Sequence, residues 1–308
     1  MKRSDGMLEN AILIAGPTAS GKSRLALDLV RRSSGTIINA DSMQVYSILR
    51  LLTARPSQAE MDAVAHVLYG HVDPREAYST GRWLGEVEAL AAGGALDAGP
   101  AIFVGGTGLY FKALLEGLSP MPSIPAAIRE TWRARLEAEG ARALHAVLAG
   151  RDPVAADTLQ PNDGQRIVRA LEIFDASGRS ILDWQASRGR PLVNANSARL
   201  MVLEPDRAEV VARIERRFDA MVEQGAMEEV RALVGLDLPP LMPAMKAIGV
   251  RELATVMAGT ATLPEAVAKA KAATRQYAKR QSTWFRNQLG ANWRRVQPEE
   301  ATDLSFCY

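Results

Sequence analysis

Cysteine and histidine are nearly absent from this sequence: its 308 residues include one cysteine, Cys307, and three histidines. A lone thiol excludes an internal disulfide, and so few histidines predict no zinc cluster, so oxygen atoms are the expected ligands of any metal. The apolar runs fall short of the roughly 18 to 20 residues that cross a bilayer. No apolar signal-peptide core follows the first residues. We therefore expect a globular, cytoplasmic protein without a membrane partner.

Acidic residues are missing from one long stretch near the C-terminus. Between Ala266 and Pro298 the chain has eight lysines or arginines and no aspartate or glutamate. Removing these eight from the net charge of +2 leaves −6 for the rest of the chain. Because a field of one sign attracts polyanions, we expect an anionic partner such as a nucleic acid.

Short apolar runs alternate with helical patterns along the chain. Strands are predicted in residues 11–16, 35–42 and 199–206, and another starts at Ala101 and turns into a helix by Tyr110. This alternation predicts an α/β fold, in which helices cover both faces of a parallel sheet. In such sheets, ligands collect at the carboxyl ends of the strands.

A different pattern interrupts the alternation. The proline-rich stretch 119–125 opens several short helical patterns, which we interpret as a small all-helical insertion domain over residues 119–197. Residues 1–118 and 198–308 then form the core domain, with a long basic helix from Pro264 to about Leu289.

A glycine-rich loop follows the first predicted strand. The sequence matches G-x-x-x-x-G-K-[ST] at Gly16, Pro17, Thr18, Ala19, Ser20, Gly21, Lys22 and Ser23. In a strand-to-helix context, backbone N–H groups of this loop cradle phosphates. Lys22 would reach the terminal phosphoryl oxygens, and the Ser23 hydroxyl would complete a Mg²⁺ shell. This P-loop NTPase-like motif predicts a di- or triphosphate ligand but leaves the reaction open.

Four polar or polarisable side chains follow the second predicted strand, at Asp41, Ser42, Met43 and Gln44. Asp41 is either a turn former or helix cap, or a base that takes a proton from a nucleophile. Gln44 either pairs with a base edge such as that of adenine or is an ordinary exposed residue. The third strand ends without a carboxylate, which disfavours a kinase that holds Mg²⁺ at that point.

Two further groups of residues have a ligand-binding and a structural interpretation. Thr107 follows two glycines, which let a ligand approach the backbone, but it could equally cap the next helix. Arg213 and Arg217 share a helix face because they are four residues apart. They either clamp a diphosphate or form a solvated basic face.

The predicted C-terminal helix interleaves basic and aromatic residues. These are Arg275, Lys279, Arg280 and Arg286 with Tyr277, Trp284 and Phe285. Basic side chains neutralise phosphates, and aromatic rings stack on unpaired bases. Alternatively, the aromatic residues form the core face of the helix.

Seven motifs occur in the order seen in bacterial tRNA dimethylallyltransferases, and the sequence resembles that family from about residue 11 to 288. They are "GPTASGKS", "NADSMQVY", "VGGTGLY", "NDGQRIVRALE", "RIERRFDAMVEQG", "AIGVREL" and "TRQYAKRQSTWFRNQ". The resemblance implies that the P-loop binds dimethylallyl diphosphate with Mg²⁺. It also implies that the acceptor is N6 of adenosine 37 in the tRNA anticodon loop.

The resemblance also implies roles for individual residues. Asp41 matches the carboxylate that takes the amine proton, and Thr107 matches a threonine near the acceptor amine. Lys22, Thr18 and Arg217 would stabilise the departing diphosphate, with Arg213 nearby. Positions expected to touch the tRNA are Asp41, Ser42, Met43, Gln44, Thr107, Arg129, Gln165, Arg166, Ile167, Val168, Arg169, Lys246, Arg251, Lys279, Arg280, Gln281, Trp284 and Arg286. No obligatory protein partner is inferred.

The segment after Tyr46 departs from the family pattern. The family usually has a glycine and an Ile-Gly-Thr-Ala-Lys-Pro run there, whereas this chain reads "SILRLLTARP". Only Thr53, Ala54 and Pro56 of that run are kept, so the sequence does not define the conformation of residues 47–56.

Three other hypotheses compete with the prenyltransferase. They are a small-molecule or nucleotide kinase, a non-catalytic RNA-binding protein with a nucleotide-gated P-loop, and an enzyme that prenylates free adenine nucleotide. The basic stretch from Lys269 to Arg295 favours a polyanionic acceptor over a free nucleotide.

Overall fold

The computed structural model describes residues 3–4, 6–187, 189–298 and 300. Cys307 lies outside them. The strands are β1 (Arg3–Ser4), β2 (Met7–Leu8), β3 (Ile12–Ala15), β4 (Thr36–Asn39), β5 (His66–Val67), β6 (Ala101–Gly105), β7 (Arg199–Leu203) and β8 (Arg294–Val296). The helices are α1 (Lys22–Ser33), α2 (Gln58–Ala63), α3 (Thr80–Ala92), α4 (Gly108–Glu116), α5 (Ala126–Arg151), α6 (Pro153–Asp157), α7 (Gly164–Ser177), α8 (Ile181–Ala186), α9 (Arg207–Glu223), α10 (Ala226–Val234), α11 (Val250–Met257) and α12 (Leu263–Gln288).

The described residues divide into two compact units. One unit runs up to Leu115 and resumes at Pro191, and the other is Glu116–Arg190. The helical unit therefore covers 116–190 rather than the expected 119–197. Residues 191–197 belong with the larger unit because Leu192 donates its N–H to Leu114 and Val193 bridges Leu8.

The larger unit is built on a parallel sheet of six strands in the order β5-β4-β6-β3-β7-β8. The central strands β3, β4 and β6 are buried along their whole length, as expected when helices cover both faces. Leu25 and Leu29 of α1 pack on one face. On the other, Trp83 lies edge-on to Phe103 and stacks on Tyr110 at 4.2 Å. This confirms the predicted P-loop NTPase-like α/β fold.

Strands β5 and β8 were not predicted from the sequence. Each has only two or three residues, too few for a periodic pattern to be recognised. Strand β5 pairs with β4, and β8 pairs with β7. These longer neighbours position the short edge strands through the backbone hydrogen bonds of the sheet.

The helical unit has its own core. Leu144, Leu148, Ile167 and Leu171 from α5 and α7 are buried together with Trp132. Gly140 interrupts α5 with φ 80° and ψ 167°, so the chain forms two helices across a kink. That kink agrees with the two separate helical patterns in the sequence. No helix among the described residues is long and apolar enough to span a membrane.

Strands β4 and β6 approach each other most closely at their carboxyl ends. A Cβ atom on Gly105 would lie 1.9 Å from the carbonyl oxygen of Ala40. The Thr107 N–H donates to that same carbonyl oxygen at 3.1 Å. Only glycine at position 105 therefore lets the loop after β4 contact the loop after β6.

We expect Gly105→Ala to lower the free energy of unfolding by about 1 to 3 kcal/mol or more, because backbone atoms cannot move aside as a flexible side chain would. The control is Gly85→Ala in α3, where a Cβ would meet nothing within 4 Å and alanine favours the helix. Urea unfolding of both variants checks the expectation, and equal midpoints for the two would contradict it.

Candidate active site

The phosphate loop joins β3 to α1 with a tightly constrained backbone. Gly21 has φ 90° and begins α1, and Ala19 also has positive φ. A Cβ on Gly16 would lie 2.6 Å from Ser20 Oγ, so the first glycine is required by packing. Ser20 is fully buried, and its hydroxyl has no hydrogen-bond partner among the described residues. The strand, loop and helix context required by the sequence motif is present.

Lys22 lies at the start of α1, and its ammonium donates to the carbonyl oxygen of Pro17 at 3.1 Å. Burial lowers the pKa of Lys22 to about 8, while Asp41 opposes that shift and Arg217 adds to it. The side chain therefore lies among other charged groups of the site, stays mostly protonated at pH 7 and loses its proton as the pH rises through about 8.

Arg217 on α9 points at the phosphate loop. Its guanidinium donates to the Thr18 hydroxyl. Burial lowers the pKa of Arg217, and the Asp41 carboxylate partly restores it. Arg213, one turn earlier, pairs with Glu209 at 2.8 Å, and its Nη1 would lie 3.9 Å from a Cβ on Gly21. The two arginines thus lie beside the loop rather than on a purely solvated face.

Asp41 lies two residues after the end of β4 and is held by hydrogen bonds with Asn39 and Met43. Its N–H donates to Asn39 Oδ1, and its Oδ1 accepts from the Met43 N–H, both at 2.9 Å. Asn39 also donates to the carbonyl oxygens of Asp41 and Leu68. Within the described part of the chain, Asp41 Oδ2 accepts no hydrogen bond. Asp41 therefore forms a turn and still presents one carboxylate oxygen for chemistry.

Thr107 contacts the loop after β4 through its side chain. Its Oγ1 accepts from the Ser42 N–H at 3.0 Å and lies 3.3 Å from Ser42 Oγ. The hydroxyl is therefore bonded to Ser42 instead of capping α4. Asp41, Ser42 and Thr107 form one constellation, which links the two loops that the sequence placed at strand ends.

A cavity of about 300 Å³ opens beside these groups. The polar residues lining it include Thr18, Asp41, Ser42, Arg217, Lys246 and Arg280. The apolar residues of the lining include Met43, Leu52, Ile214, Phe218, Met221 and Ile248. Polar and charged groups for an anion thus share one cavity with an apolar surface.

Residues 47–56 form part of the cavity wall. Both oxygens of the Glu229 carboxylate are engaged, because they accept from the backbone N–H groups of Arg50, Leu51 and Leu52 at 2.6 to 3.1 Å. Gln44 donates its amide to the carbonyl oxygens of Thr53 and Ala54. The Gln44 amide nitrogen is therefore used to hold the loop, and only its Oε1 is left for a ligand.

Sequence reasoning missed Asn39 and Glu229, which hold the loops that carry the predicted residues. Asn39 begins the motif "NADSMQVY" but was given no role there, whereas Glu229 lies in none of the motifs and is distant in sequence from residues 50–52. Asn39, at the end of a buried strand, was the only one of the two with a local signal.

The predicted tRNA contacts on α12 divide into two groups. Lys279, Arg280 and Arg286 are exposed. Gln281, by contrast, is only 5% exposed, and its amide bonds to Thr18 and Gly106, so its prediction as a tRNA contact is wrong for the side chain. Trp284 is half-buried and lies over Gly108, where a Cβ would be 2.1 Å from the indole ring.

At least three basic residues of the C-terminal stretch are ion-paired with described residues of the larger unit. Lys271 contacts Asp219 at 2.7 Å, Arg275 pairs with Glu215, and Arg295 pairs with Glu204. The basic stretch is therefore partly neutralised by acids on other elements.

The remaining predicted tRNA contacts also differ in exposure. Lys246, Arg251, Arg129, Gln165 and Arg166 are exposed, and Arg169 is half-buried beside Glu172. Ile167 and Val168 are 0% and 6% exposed in the core of the helical unit. Their prediction as tRNA contacts is wrong for the side chains, because both belong to the apolar face of α7.

Oxygen ligands for a cation are few at this site. No group of three or more His, Cys, Asp or Glu side chains within the described ranges could hold a metal. Ser23, in the first turn of α1, is exposed, and its hydroxyl has no hydrogen bond to another described residue. The donor set fits a cation that takes most of its ligands from phosphate oxygens and water.

A phosphate loop on a parallel sheet, beside an unbonded carboxylate oxygen, is the arrangement of a P-loop enzyme, and the family comparison identifies the class as transferases. The chain belongs to the IPP transferase family, whose model matches residues 44–288. A second model, described as isopentenyl transferase, matches residues 9–72.

Curated relatives cover almost the whole chain. A tRNA dimethylallyltransferase of Mesorhizobium japonicum is 61% identical over 98% of this chain and 94% of its own length. Another tRNA dimethylallyltransferase, of Chelativorans sp., is 60% identical over 93% of this chain and 98% of its own.

Solved structures are similar over the same extent. The tRNA isopentenylpyrophosphate transferase of Bacillus halodurans is 32% identical, with a TM-score of 0.67 over 96% of this chain and 94% of that one. A eukaryotic dimethylallyltransferase described as acting on tRNA is 27% identical, with a TM-score of 0.79 over 96% of this chain and 75% of that one.

The pKa of Lys22 predicts how anion binding depends on pH. A charged lysine contributes to phosphate binding, so inorganic diphosphate should bind wild-type protein roughly tenfold more tightly than Lys22→Met at pH 7. This advantage should shrink as pH rises above about 8, because the ammonium loses its proton. Bound diphosphate raises the pKa of Lys22, so the decline should begin near pH 8, the value of the free protein, and should level off above the higher pKa of the complex.

Titration calorimetry at pH 7, 8, 9 and 9.5 measures the ratio of the two affinities, in which the ionisation of the ligand cancels. Lys269→Met, which changes an exposed lysine on α12, is the control and should not alter the affinity. A ratio that stays constant over this range would contradict the lowered pKa.

Proposed function

We propose that this protein transfers the dimethylallyl group of dimethylallyl diphosphate to N6 of adenosine 37 in the tRNA anticodon loop. The observation that carries the proposal is the unbonded Asp41 Oδ2, which lies in one cavity with the Thr18 and Arg217 side chains of the phosphate site. Membership of the IPP transferase family and nearly full-length similarity to tRNA dimethylallyltransferases support it.

Asp41 acts as the base in this proposal. The exocyclic amine of adenine is a poor nucleophile because its lone pair is delocalised into the ring. As N6 forms a bond to C1 of the allyl group, the amine loses a proton to Asp41 Oδ2. The hydrogen bond from Met43 to Oδ1 fixes the carboxylate, so that Oδ2 stays directed at the acceptor.

The phosphate loop stabilises the leaving group. As the C1–O bond breaks, its electron pair goes to the diphosphate, where negative charge increases. The Lys22 ammonium and the Arg217 guanidinium lie at the loop, where they would stabilise that charge. Arg213 adds a third cation, near Gly21.

We further propose that Mg²⁺ accompanies the diphosphate and that Ser23 is its ligand from this chain. The ion supplies charge neutralisation at the phosphate oxygens. The exposed Ser23 hydroxyl fits that role, and the scarcity of carboxylates around it agrees with a cation held mainly by the substrate.

The acceptor is proposed to be tRNA and not a free nucleotide. Lys246 and Arg280 line the cavity, and Lys279, Arg251 and Arg286 are exposed, so a basic surface surrounds the site in the larger unit. In the helical unit, the exposed residues Arg129, Gln165 and Arg166 and the half-buried Arg169 are proposed as further tRNA contacts. Because base 37 is unpaired, flipping it into a cavity costs only a few kcal/mol.

The kinase hypothesis is not favoured. Strand β6 ends at Gly105 and is followed by Gly106, without a carboxylate, and the comparisons favour prenyl transfer. We propose the cytoplasm, where tRNA is available, as the location of the activity.

Labelled dimethylallyl diphosphate, Mg²⁺ and unmodified tRNA provide the test of the reaction. Wild-type protein should label adenosine 37, located by nuclease digestion and mass spectrometry. Asp41→Asn should lower kcat by about 10²- to 10⁴-fold because the amide cannot accept the proton, while tRNA affinity stays within a few fold.

Two controls accompany this experiment. Asp62→Asn alters an exposed carboxylate on α2 and should leave kcat unchanged. A tRNA with guanosine at position 37 should remain unlabelled. Absence of label with folded wild-type protein would refute the transferase, and full turnover by Asp41→Asn would remove Asp41 from the base role.

A further inference from the structure

The buried side chain of Gln281 connects the two halves of the site. Its Oε1 accepts from the Thr18 N–H of the phosphate loop at 2.8 Å. Its Nε2 donates to the Gly106 carbonyl oxygen, in the loop that carries Thr107, at 2.9 Å. One amide on α12 therefore bonds to the loop that follows β3 and to the loop that follows β6.

This bridge is closely packed and leaves little freedom of movement. A Cβ on Gly106 would lie 2.1 Å from Gln281 Nε2 and 3.4 Å from Asp41 Oδ2. The side chain is 5% exposed, so water does not compete effectively for its hydrogen bonds. Because a buried amide group left unpaired is costly, both loops are constrained to their distances from Gln281.

The bridge also removes one donor from the phosphate loop. The Thr18 N–H is used by Gln281, and the Thr18 hydroxyl accepts from Arg217. Thr18 is thus fixed by α12 on one side and by α9 on the other. A residue with only a local structural role would not need to contact both the phosphate loop and the loop that carries Thr107.

We propose that Gln281 is a positioning residue that sets the distance between the donor's phosphate loop and the acceptor-side loop that carries Thr107, beside Asp41. This inference rests on the proposed prenyl transfer, because it concerns how the two substrates are aligned. Gln281 touches neither substrate and acts through Thr18 and Gly106.

Removing the bridge should impair turnover more than binding. Gln281→Met retains the length and the apolar stem but loses both hydrogen bonds. A misplacement of about 1 Å can cost about 100-fold in rate, so we expect kcat to fall about 10- to 100-fold. The affinity for inorganic diphosphate should change less than about threefold, since the freed Thr18 N–H can bond to a phosphate oxygen. The KM for tRNA should change equally little.

Gln281→Glu gives a signature that a purely packing role would not produce. A neutral carboxyl group reproduces the amide pattern, because its O–H donates to Gly106 and its carbonyl oxygen accepts from Thr18. The ionised form has no donor and faces the Gly106 carbonyl oxygen. The kcat of this variant, divided by that of wild type, should therefore rise at least about fivefold as pH falls from 8.5 to 5.5. The surrounding titratable groups, Lys22, Asp41 and Arg217, are common to both proteins, so the division largely removes their effect.

Gln276→Glu is the matched control, since it places the same change on an exposed position of α12. Its kcat relative to wild type should not depend on pH. Circular dichroism establishes that each variant is folded, and if Gln281→Met does not fold, the pH profile of Gln281→Glu decides.

Specific outcomes would overturn the inference. The first is a kcat for Gln281→Met within about threefold of wild type. The second is a kcat of Gln281→Glu, relative to wild type, that does not change with pH. The third is loss of the fold in both variants, which would make the bridge a folding determinant. Wild-type protein that labels no tRNA would instead refute the proposed function. Wild-type activity with an unimpaired Gln281→Met would refute only the positioning role.

Discussion

The close approach of β4 and β6 at their carboxyl ends is the constraint on which the rest of the site depends. Gly105 lets the backbone at Ala40 come within a distance that no side chain would allow, and the Thr107 N–H then bonds to Ala40. Through this contact, Asp41 and Thr107 lie side by side although they come from different strands. The parallel sheet thus converts two separate sequence motifs into one constellation.

Electrostatics at the site depend on partial burial of opposite charges. Lys22 and Arg217 both have pKa values lowered by burial, and in both cases the Asp41 carboxylate opposes the shift. An incoming diphosphate would bring further negative charge to these cations and would favour their protonated forms. Lys22 and Arg217 are therefore two cations beside the phosphate loop whose positive charge Asp41 balances only in part.

The fold and the central residues could be predicted from the sequence because their signals are local. The glycine loop, the buried strands and Asp41 after β4 each occupy a short, patterned stretch. The role of Gln281 could not be predicted, since its partners Thr18 and Gly106 are far away in sequence and its basic neighbours suggested RNA contact. Ile167 and Val168 were assigned to tRNA contact for a related reason. The motif correctly predicts a helix, but it does not show which face of that helix is buried in the core and which is exposed to a ligand. Glu229 was missed because a carboxylate that binds backbone N–H groups has no partner that a sequence pattern identifies.

The ion pairs between α9 and α12 have a consequence for binding to any polyanion. Lys271 and Arg275 already have Glu215 and Asp219 as internal counterions, and Arg295 has Glu204. When a nucleic acid binds to this surface, it releases condensed counterions only in proportion to the number of its phosphates that the protein's cations neutralise. The salt dependence of that affinity would therefore report a smaller charge than the eight basic residues of the sequence suggest. Lys271 and Arg275 would instead serve to hold α9 and α12 together.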